Sequence, residues 1–456
     1  MGEEQPDQLK IPRQTPVFAP VAAGERISCV DILRGFAVLG ILLMNITSFG
    51  FPWNGDKDLA SAISLADPNL AVWVITSALF EGKMRATFSM LFGAGIVLFT
   101  TRAEARQGGP ASTELYYRRL LWLLALGFLH GAFLWTGDIL YEYAVGGALL
   151  YPWRKLSPRI LLGAGLVLLV TGALQRIPSQ WETEQKRVAA AEANAAQAAG
   201  ATLTAQQRDA LEEWASMMRN LKPNETQIAK QIAEHQQGYW SMFLLRQRDG
   251  GVGGGFTSSW DTAAMMLVGM ALFKLGVLSA GRSRRFCWTL MLLGYSIGLL
   301  INGYTVYHTL RSKFEPINLW WNVASYDVGR LAMALGHIGL IILIFQAGWL
   351  RWLTSRLAAV GQMALTNYLM QSLICTTLFY GYGAGLYGKL QRYELYYVVV
   401  GVWVLQLLLS SLWLRYFRFG PMEWLWRSLT YKTWQPLRMQ ARAPVLAEGL
   451  ASPTLT

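Results

Sequence analysis

The stretch Arg26–Asn54, RISCVDILRGFAVLGILLMNITSFGFPWN, constrains the fold of this chain more than any other. Its apolar run Val30–Phe51 is long enough to cross a bilayer, for which about 20 residues suffice. Asp31 and Arg34 lie three residues apart, so they share one face of the first turn and can pair, and Asn45 lies deeper in the run. Because polar groups cost free energy in hydrocarbon, we expect them to face the protein interior. The rest of the chain is therefore predicted to form a bundle around this helix.

Composition places the chain among polytopic membrane proteins. Of its residues 53% are hydrophobic and 15% are charged, whereas a soluble domain carries roughly 25% charge. The net charge of +12 comes from cations that flank apolar segments, which the positive-inside rule explains better than nucleic-acid binding does. The first residues are polar and hold no short apolar region with a cleavage site, so the first helix is expected to be retained. Three widely separated cysteines indicate neither a disulfide framework nor a metal site.

Charge and hydropathy predict an all-α, polytopic transmembrane helix bundle with about ten spans. Each loop assigned to the cytoplasm carries at least two Lys or Arg residues near a membrane end, which predicts that both termini are cytoplasmic. In chain order the predicted segments are a disordered cytoplasmic arm (1–25), an N-terminal transmembrane bundle (26–174), an external helical insertion (175–240), a C-terminal transmembrane bundle (241–414) and a basic, aromatic cytoplasmic tail (415–456).

Three polar stretches interrupt the apolar pattern. The insertion is predicted to be helical, because Thr204–Gln207 resembles a capping box and Asn224 can cap the next helix. Its expected role is a lid or spacer on the external face, with acceptor binding as the alternative. The run Gly250–Gly255 lacks a following Gly-Lys-Ser/Thr, so we expect a flexible entry to the sixth span rather than a phosphate-binding loop. Glu81–Arg85 breaks the second apolar segment, and charged groups at such breaks line water-filled cavities.

Two histidines are predicted at similar depth in different spans. At a rise of about 1.5 Å per residue, His130 lies about 16 Å beyond Arg119, and His337 lies at a similar depth on a helix that runs the other way. We therefore expect the two imidazoles and nearby carboxylates to converge in one protected, watery pocket. Asp138 and Glu142 share a helix face near His130, where a carboxylate can set the tautomer of the imidazole. For Asp138 a helix cap is the structural alternative. The candidate catalytic residues are His130, Asp138, Glu142, His337 and Asn45.

A second set of polar residues is predicted to bind substrate or cofactor. For the following residues a purely structural role is the alternative interpretation. The cytoplasmic arginines can be topology signals, Asp327 and Arg330 can pair helices, and the polar stripe of the ninth span can form interhelical hydrogen bonds. The candidate binding residues are Asp31, Arg34, Lys83, Arg85, Arg118, Arg119, Asp327, Arg330, Asn367 and Gln371, and no metal ligands are predicted.

The opening pattern R-x-x-x-x-D-x-x-R-G, followed by an apolar run ending in Asn, resembles that of the YeiB-like bacterial inner-membrane proteins, a family of unknown function. Three further blocks support this resemblance, which covers nearly the whole chain. They are Phe88–Gly95, Leu129–Gly131 with Gly137–Leu140, and the region Gly361–Trp434 with MALTNYLMQS and FRFGPMEWLWRSLTY. The resemblance implies a location in the bacterial inner membrane. The first helix also resembles that of the transmembrane acyltransferase superfamily, which includes lysosomal heparan-α-glucosaminide N-acetyltransferase.

The superfamily resemblance implies transfer of an acyl group from a CoA thioester to an acceptor at or across the membrane. A histidine would act as general base, Asn45 would stabilise the oxyanion and cytoplasmic arginines would hold the phosphates of acyl-CoA, the candidate donor. In the heparan acetyltransferase the catalytic histidine shortly precedes a Trp-Asn-Gly. This chain keeps Trp53–Gly55 but has no histidine nearby, so either His130 or His337 takes the base role or this chemistry is absent.

Two other functions remain open from the sequence. A proton-coupled transporter of a small molecule would use histidine and carboxylate relays near the midplane, although the halves show no inverted repeat. A scaffold would use its polar residues to lock helices together. The expected partners are the lipid bilayer and a small-molecule, lipid or glycan acceptor, with no nucleic acid, and the oligomeric state stays open.

Overall fold

The computed structural model describes residues 26–52, 66–221, 224–248, 259–314 and 319–439. The predicted arm, the Trp53–Gly55 motif, the Gly250–Gly255 run and the last part of the predicted tail lie outside these residues. Within them every regular element is a helix, and the one β-type contact is an isolated bridge between Phe417 and Arg438. The all-α prediction is therefore confirmed.

The first half of the bundle contains six helices and a 3₁₀ turn. They are α1 (Ser28–Gly50), α2 (Pro68–Leu79), α3 (Lys83–Gln107), α4 (Gly109–Phe133), α5 (Leu140–Leu150), the 3₁₀ turn Tyr151–Lys155 and α6 (Pro158–Gln175). The insertion follows as α7 (Ile177–Ala198), α8 (Ala205–Leu221), α9 (Glu225–His235) and α10 (Tyr239–Arg248). The second half consists of α11 (Ser259–Lys274), α12 (Arg284–Arg311), α13 (Leu319–Ala347), α14 (Arg351–Gln362), α15 (Ala364–Phe379), α16 (Arg392–Tyr416) and α17 (Pro421–Tyr431).

Six helical stretches of the described chain are long and apolar enough to cross a membrane. They are Ser28–Gly50, Pro68–Arg106, Pro158–Ala198, Arg284–Arg311, Ser325–Ala347 and Arg392–Tyr416. A polytopic bundle is thus confirmed by length and composition. The other predicted spans correspond to α4, α5, α11 and α15, and α11 and α15 have only 16 residues each. The count of ten spans stays a prediction.

The helix starts follow local sequence. Proline occupies the first turn of α2, α4, α6 and α17, where its missing N–H is not needed. The predicted capping box of the insertion is confirmed, because the Gln207 N–H donates to the Thr204 hydroxyl at 3.2 Å. Asn224 and Gln227 form a second reciprocal capping box at the start of α9. The expected break before α3 is also present, with Gly82 in the left-handed conformation at φ +71°.

The predicted ninth span is divided in two. Helix α14 ends at Gln362 and α15 begins at Ala364, with Met363 between them. The first amides of α15 therefore need acceptors, and Glu423 on α17 supplies them. Its carboxylate accepts from Leu365 N–H at 2.7 Å and from Thr366 N–H at 3.1 Å. The break thus ties the C-terminal helix to the bundle.

Helix α1 lies at the centre of the bundle. It packs on α3, α13, α14, α15 and α16, and most of its residues are buried. Its closest neighbour is α14, because both helices place glycine at the crossing. A Cβ on Gly35 would collide with the Leu357 carbonyl oxygen, and one on Gly361 would collide with the Asp31 carbonyl oxygen. The backbones of α1 and α14 are therefore in direct contact beside Asp31.

The second half of the insertion docks on the bundle. On α10 the Tyr239 hydroxyl donates to the Phe133 carbonyl at the end of α4, at 2.8 Å. At the end of α9 the His235 carbonyl accepts from Gly381 N–H at 2.8 Å, in the loop that follows α15. The insertion is thus attached to the ends of two helices that carry candidate site residues.

Candidate functional site

A buried chain of hydrogen bonds joins three side chains from three helical regions. Asp138 Oδ1 lies 2.7 Å from His130 Nδ1, and His130 Nε2 lies 2.9 Å from Ser372 Oγ. The side chains of His130 and Asp138 are 2% and 3% exposed. These distances are those of a nucleophile, a base and an orienting carboxylate in enzymes that use an activated hydroxyl. We call these three residues the Ser–His–Asp triad.

The hydrogen-bond partners determine which imidazole nitrogen carries the proton. An ionised carboxylate only accepts, so His130 Nδ1 donates to Asp138. In the neutral imidazole Nε2 is then the acceptor, and the Ser372 hydroxyl donates to it. Asp138 also accepts from Tyr141 N–H at 2.8 Å through its other oxygen, which caps the start of α5. The predicted cap and the predicted histidine partner are thus the same residue.

Local structure explains why the triad assembles. His130 lies in the last turn of α4 and Asp138 lies in the connection to α5, so a short turn brings them together. Ser372 comes from α15, and Tyr368 lies one turn before it. The Tyr368 ring is 5.2 Å from the His130 ring between centroids. Its hydroxyl donates to the Gly137 carbonyl and accepts from Ile139 N–H, both at 3.3 Å.

The structure does not bring His337 to His130. His337 Nε2 lies 2.9 Å from the Leu79 carbonyl oxygen and must donate to it, so Nδ1 accepts from the Tyr295 hydroxyl at 2.9 Å. Phe36 and Phe80 pack against its ring. Both nitrogens are therefore used in helix packing, and the expectation that the two histidines share a pocket is not met.

A second buried cluster, which we call the charge network, consists of Arg85, Arg176, Asp261, Asp327 and Arg330. Arg330 donates to both Asp261 and Asp327. Arg85 donates to Asp261 at 2.7 Å and Arg176 donates to Asp327 at 2.6 Å. The network links α3, α11 and α13 to the end of α6, and Arg330 is 1% exposed. Buried charges of this kind persist when they are paired.

Two predicted residues lie beside the charge network. Glu142 is buried and accepts a hydrogen bond from the Thr262 hydroxyl at 3.2 Å. Lys83 donates to the Ser77 carbonyl at 2.7 Å. Lys83 also lines a cavity of ≈ 460 Å³ together with Arg176 and Tyr326. Glu142 and Lys83 therefore lie away from the hydrogen bonds of the triad.

A different cavity approaches the triad from the other end of α3. Its volume is ≈ 280 Å³, and Ile139, Tyr143 and Tyr368 line its deep end. Ile139 follows Asp138, and Tyr368 packs against the His130 ring. The opposite end is basic. The arginines that line it are Arg26, Arg34, Arg102, Arg106, Arg119 and Arg427, and we call the whole space the arginine cavity.

The arginine cavity has a marked excess of positive charge. Six arginines and two carboxylates, Asp31 and Glu423, line it. Asp31 pairs with Arg34 at 3.4 Å, whereas Glu423 is occupied by the α15 amides. Burial and the neighbouring Arg26 lower the pKa of Arg427, which lies on α17 beyond the last predicted span. Such a surface attracts an anion.

The remaining predicted residues have structural contacts. Arg118 donates to the Thr430 carbonyl and to Glu114. Asn367 binds Ser410 on α16 at 3.0 Å, and Gln371 binds the Val38 carbonyl on α1 at 3.3 Å. Asn45 is partly buried on α1 and is not among the side chains that line the arginine cavity. For Asn367 and Gln371 the structure thus favours the alternative of interhelical hydrogen bonding.

Sequence reasoning missed Ser372, Asp261 and Arg176. Ser372 stands in the MALTNYLMQS block, one residue after the predicted Gln371, but its partner His130 lies 242 positions earlier. For Asp261 the sequence did carry a signal, because a charged residue within an apolar span marks a candidate functional site. In the part of the chain that the structure describes, no three His, Cys, Asp or Glu residues are grouped so as to hold a metal ion.

Comparison with known proteins gives relatives over nearly the full length. The family described as Protein of unknown function (DUF418) matches residues 272–433. The uncharacterized protein YxaH of Bacillus subtilis (strain 168) is 32% identical over 433 residues, covering 93% of this chain and 98% of the relative. The uncharacterized protein YeiB of Escherichia coli (strain K12) is 30% identical over 431 residues, covering 90% and 98%. No solved structure matches the chain.

Proposed function

The chain belongs to the YeiB-like family of uncharacterized proteins, and we propose that it is a membrane-embedded acyltransferase that uses a CoA thioester as donor. One observation carries this proposal. The arginine cavity extends from a cluster of six arginines to Tyr368, which packs on His130 of the triad. A basic end that suits phosphates thus lies in one cavity with Tyr368, whose ring contacts a histidine that suits acyl transfer.

The donor would lie along the arginine cavity. Arginine binds phosphate through paired N–H groups, and charge-assisted hydrogen bonds of this kind are about twice as strong as neutral ones. The apolar residues between the two ends, such as Phe88, Leu91 and Leu123, would contact the pantetheine arm and the acyl group. The thioester would then stop near Tyr368. Arg34 and Arg119 take the phosphate-binding role that the sequence proposed for them.

His130 is the proposed general base. Asp138 holds its Nδ1 proton, so Nε2, which accepts from the Ser372 hydroxyl, has a lone pair that can take a proton from a hydroxyl or amine. Asn45, Glu142 and His337 receive no catalytic role, because none of them contacts the triad or lines the arginine cavity in the described structure. The acceptor is a small molecule, a lipid or a glycan with such a group.

We further propose that the basic end of the cavity faces the bacterial cytoplasm, where CoA thioesters are made. The positive-inside pattern supports this orientation of the inner-membrane bundle, with both termini cytoplasmic. The charge network and the ≈ 460 Å³ cavity then face outward. Cysteine labelling from each side of spheroplasts, at position 418 against position 240, tests the orientation.

The test of the proposed function is donor binding. The purified full chain in detergent is titrated with acetyl-CoA, with CoA and with pantetheine, which lacks the nucleotide phosphates. Binding of both CoA compounds at least about tenfold tighter than pantetheine is expected, because each charge-assisted hydrogen bond contributes about 1.5–3 kcal/mol. Equal binding of all three compounds, or binding of none, contradicts the proposal.

A proton-coupled transporter is the second candidate, and the charge network favours it. Intramembrane Asp and Arg residues mark ion pathways in carriers, and Arg176 connects the network to the ≈ 460 Å³ cavity. A transporter in proteoliposomes would acidify the lumen when substrate is added and would leave acyl-CoA intact. Consumption of acyl-CoA without proton movement separates the two functions.

A further inference from the structure

We infer that Ser372 is an acyl carrier, so that transfer proceeds through a covalent acyl-serine. This inference rests on the proposed acyltransferase function and names a residue and an intermediate that it does not require. The observation behind it is the directed hydrogen-bond chain from Ser372 Oγ through His130 to Asp138, with separations of 2.9 and 2.7 Å. If His130 served only as base for an incoming acceptor, a buried serine hydroxyl at its Nε2 would not be required.

The surroundings of Ser372 suit an activated hydroxyl. Ser372 is 1% exposed and His130 is 4% exposed, so water does not compete for the hydroxyl proton. A buried serine in a helix usually donates to the carbonyl four residues earlier, as Thr76, Thr87 and Ser89 do here. Ser372 instead contacts His130 across the bundle. Its oxygen is thus held ready to lose a proton to Nε2.

Tyr368 lies between the arginine cavity and the triad. Tyr368 lines the deep end of the cavity, precedes Ser372 by one helical turn and packs on the His130 ring. Its hydroxyl is held by two contacts of 3.3 Å, which is long for hydrogen bonds that involve a hydroxyl. Tyr368 therefore lies between the cavity lining and His130, and the proposed reaction requires this ring to move so that the thioester reaches Ser372.

The proposed first step balances. Ser372 Oγ transfers its proton to His130 Nε2 and attacks the thioester carbonyl carbon, and the resulting tetrahedral species loses CoA by cleavage of the C–S bond. The leaving thiolate takes the proton from His130. In the second step the acceptor hydroxyl or amine gives a proton to His130 and attacks the acyl-serine, and the Ser372 oxygen recovers that proton. No oxidant or further reactant is needed.

The direct test is detection of the acyl-serine. The purified full chain is incubated with acetyl-CoA without acceptor, quenched in acid, digested and analysed by mass spectrometry, while released CoA is measured in parallel. We expect one acetyl group on the peptide that contains Ser372 and a burst of CoA equal to the amount of protein. Ser372→Ala is expected to abolish both signals and to lower steady CoA release at least about a hundredfold.

Ser410 provides the matched control. It is also a 1% exposed serine in a helix that hydrogen-bonds across the bundle, to Asn367, so Ser410→Ala removes an interhelical contact without touching the triad. Ser410→Ala should keep the acetyl-serine and the burst. Ser372→Cys should form an acetyl-thioester instead, which shows chemistry at this position even where Ser372→Ala unfolds.

The failures of the two proposals are distinguishable. If the wild-type protein binds and consumes acetyl-CoA but carries no acetyl group on Ser372, transfer is direct and the carrier role is overturned. The same holds if Ser372→Ala releases CoA at the wild-type rate when a working acceptor is present. If acetyl-CoA is neither bound nor consumed by any variant, the acyltransferase function itself is overturned.

Discussion

The charge network and the arginine cavity both concentrate arginine, but they use it in opposite ways. In the network every carboxylate oxygen of Asp261 and Asp327 accepts from an arginine. Six arginines and two carboxylates line the arginine cavity, and one of these carboxylates, Glu423, accepts from the α15 amides. The paired arginines of the charge network hold helices together, whereas the arginines of the cavity are suited to binding an anionic ligand.

This comparison also separates the two predicted histidines. His337 lies on α13, the helix that contributes Asp327 and Arg330, and both of its nitrogens are used in packing. His130 packs against Tyr368, which lines the deep end of the arginine cavity, and meets a serine hydroxyl instead of a backbone carbonyl. In the proposed acyltransferase the network side therefore serves helix packing, and the cavity side carries the chemistry.

The largest expected effect comes from breaking the charge network. Arg330→Ala leaves the carboxylates of Asp261 and Asp327 buried without their shared partner, which should lower the free energy of unfolding by about 3–5 kcal/mol. Denaturant titration of the full chain in detergent measures this loss. Arg311→Ala is the matched control, because Arg311 is exposed and donates to the Tyr307 hydroxyl. Equal stability of both variants would contradict the structural reading of the network.

A smaller effect, on binding rather than stability, is expected at the basic end of the cavity. Arg34→Gln should weaken CoA binding about 10- to 100-fold, because one charge-assisted contact contributes about 1.5–3 kcal/mol. Isothermal titration gives the Kd, and the unfolding midpoint is measured beside it, because Arg34 also pairs with the buried Asp31 at 3.4 Å. Arg415→Gln, an exposed arginine outside the cavity, should bind like wild type. Loss of binding in both variants would point to a general charge effect.

His337→Gln sharpens the contrast between the two histidines. It removes the contacts to Leu79 and Tyr295, each of which contributes about 1 kcal/mol to stability, but it leaves the triad intact. CoA release should therefore stay within about twofold of wild type at a temperature where the variant is folded. His130→Gln in the same assay should be inactive. An inactive but folded His337→Gln would show that the network side takes part in the reaction.

The smallest expected effect is a change of pH dependence at Glu423. Burial raises the pKa of this carboxyl above its ordinary value of 4.5. The folded protein therefore holds this proton at pH values where the unfolded chain has lost it, and stability should fall as pH rises from 4.5 through the raised pKa. Glu423→Gln removes this contribution and should flatten the curve of unfolding midpoint against pH. Parallel curves for the two proteins would exclude this role.

Much of the bundle follows from local signals. Apolar runs predict the long helices, proline and capping residues predict their starts, and the pairs Asp31–Arg34 and His130–Asp138 lie within a few residues or one turn. The break at Met363 was not predicted, because the acceptor that satisfies the α15 amides after it is Glu423, a residue of another helix. Local patterns do not record such a distant acceptor.

The site was predicted in part for the same reason. Asp138 was found because it is close to His130 in the chain, but Ser372 was not, since it is 242 positions away and only the tertiary fold places it at Nε2. Similar depth alone suggested that His337 joins His130. Depth fixes one coordinate of a side chain, and the direction in which its helix face points decides what it meets. Arg330 shows this as well, because its sequence partner Asp327 is joined by the unpredicted Asp261.

The two glycines at the crossing of α1 and α14 set a dimension of the molecule. Gly35 and Gly361 let the two backbones touch, and the residues next to this contact include Asp31, Arg34 and Gln362, which line the cavity. The spacing of α1 and α14 beside the arginine cavity is therefore set by main-chain atoms, which cannot rotate away as side chains can. A methyl group added at either glycine would collide with main-chain atoms of the other helix, so the two helices would have to move apart beside the cavity.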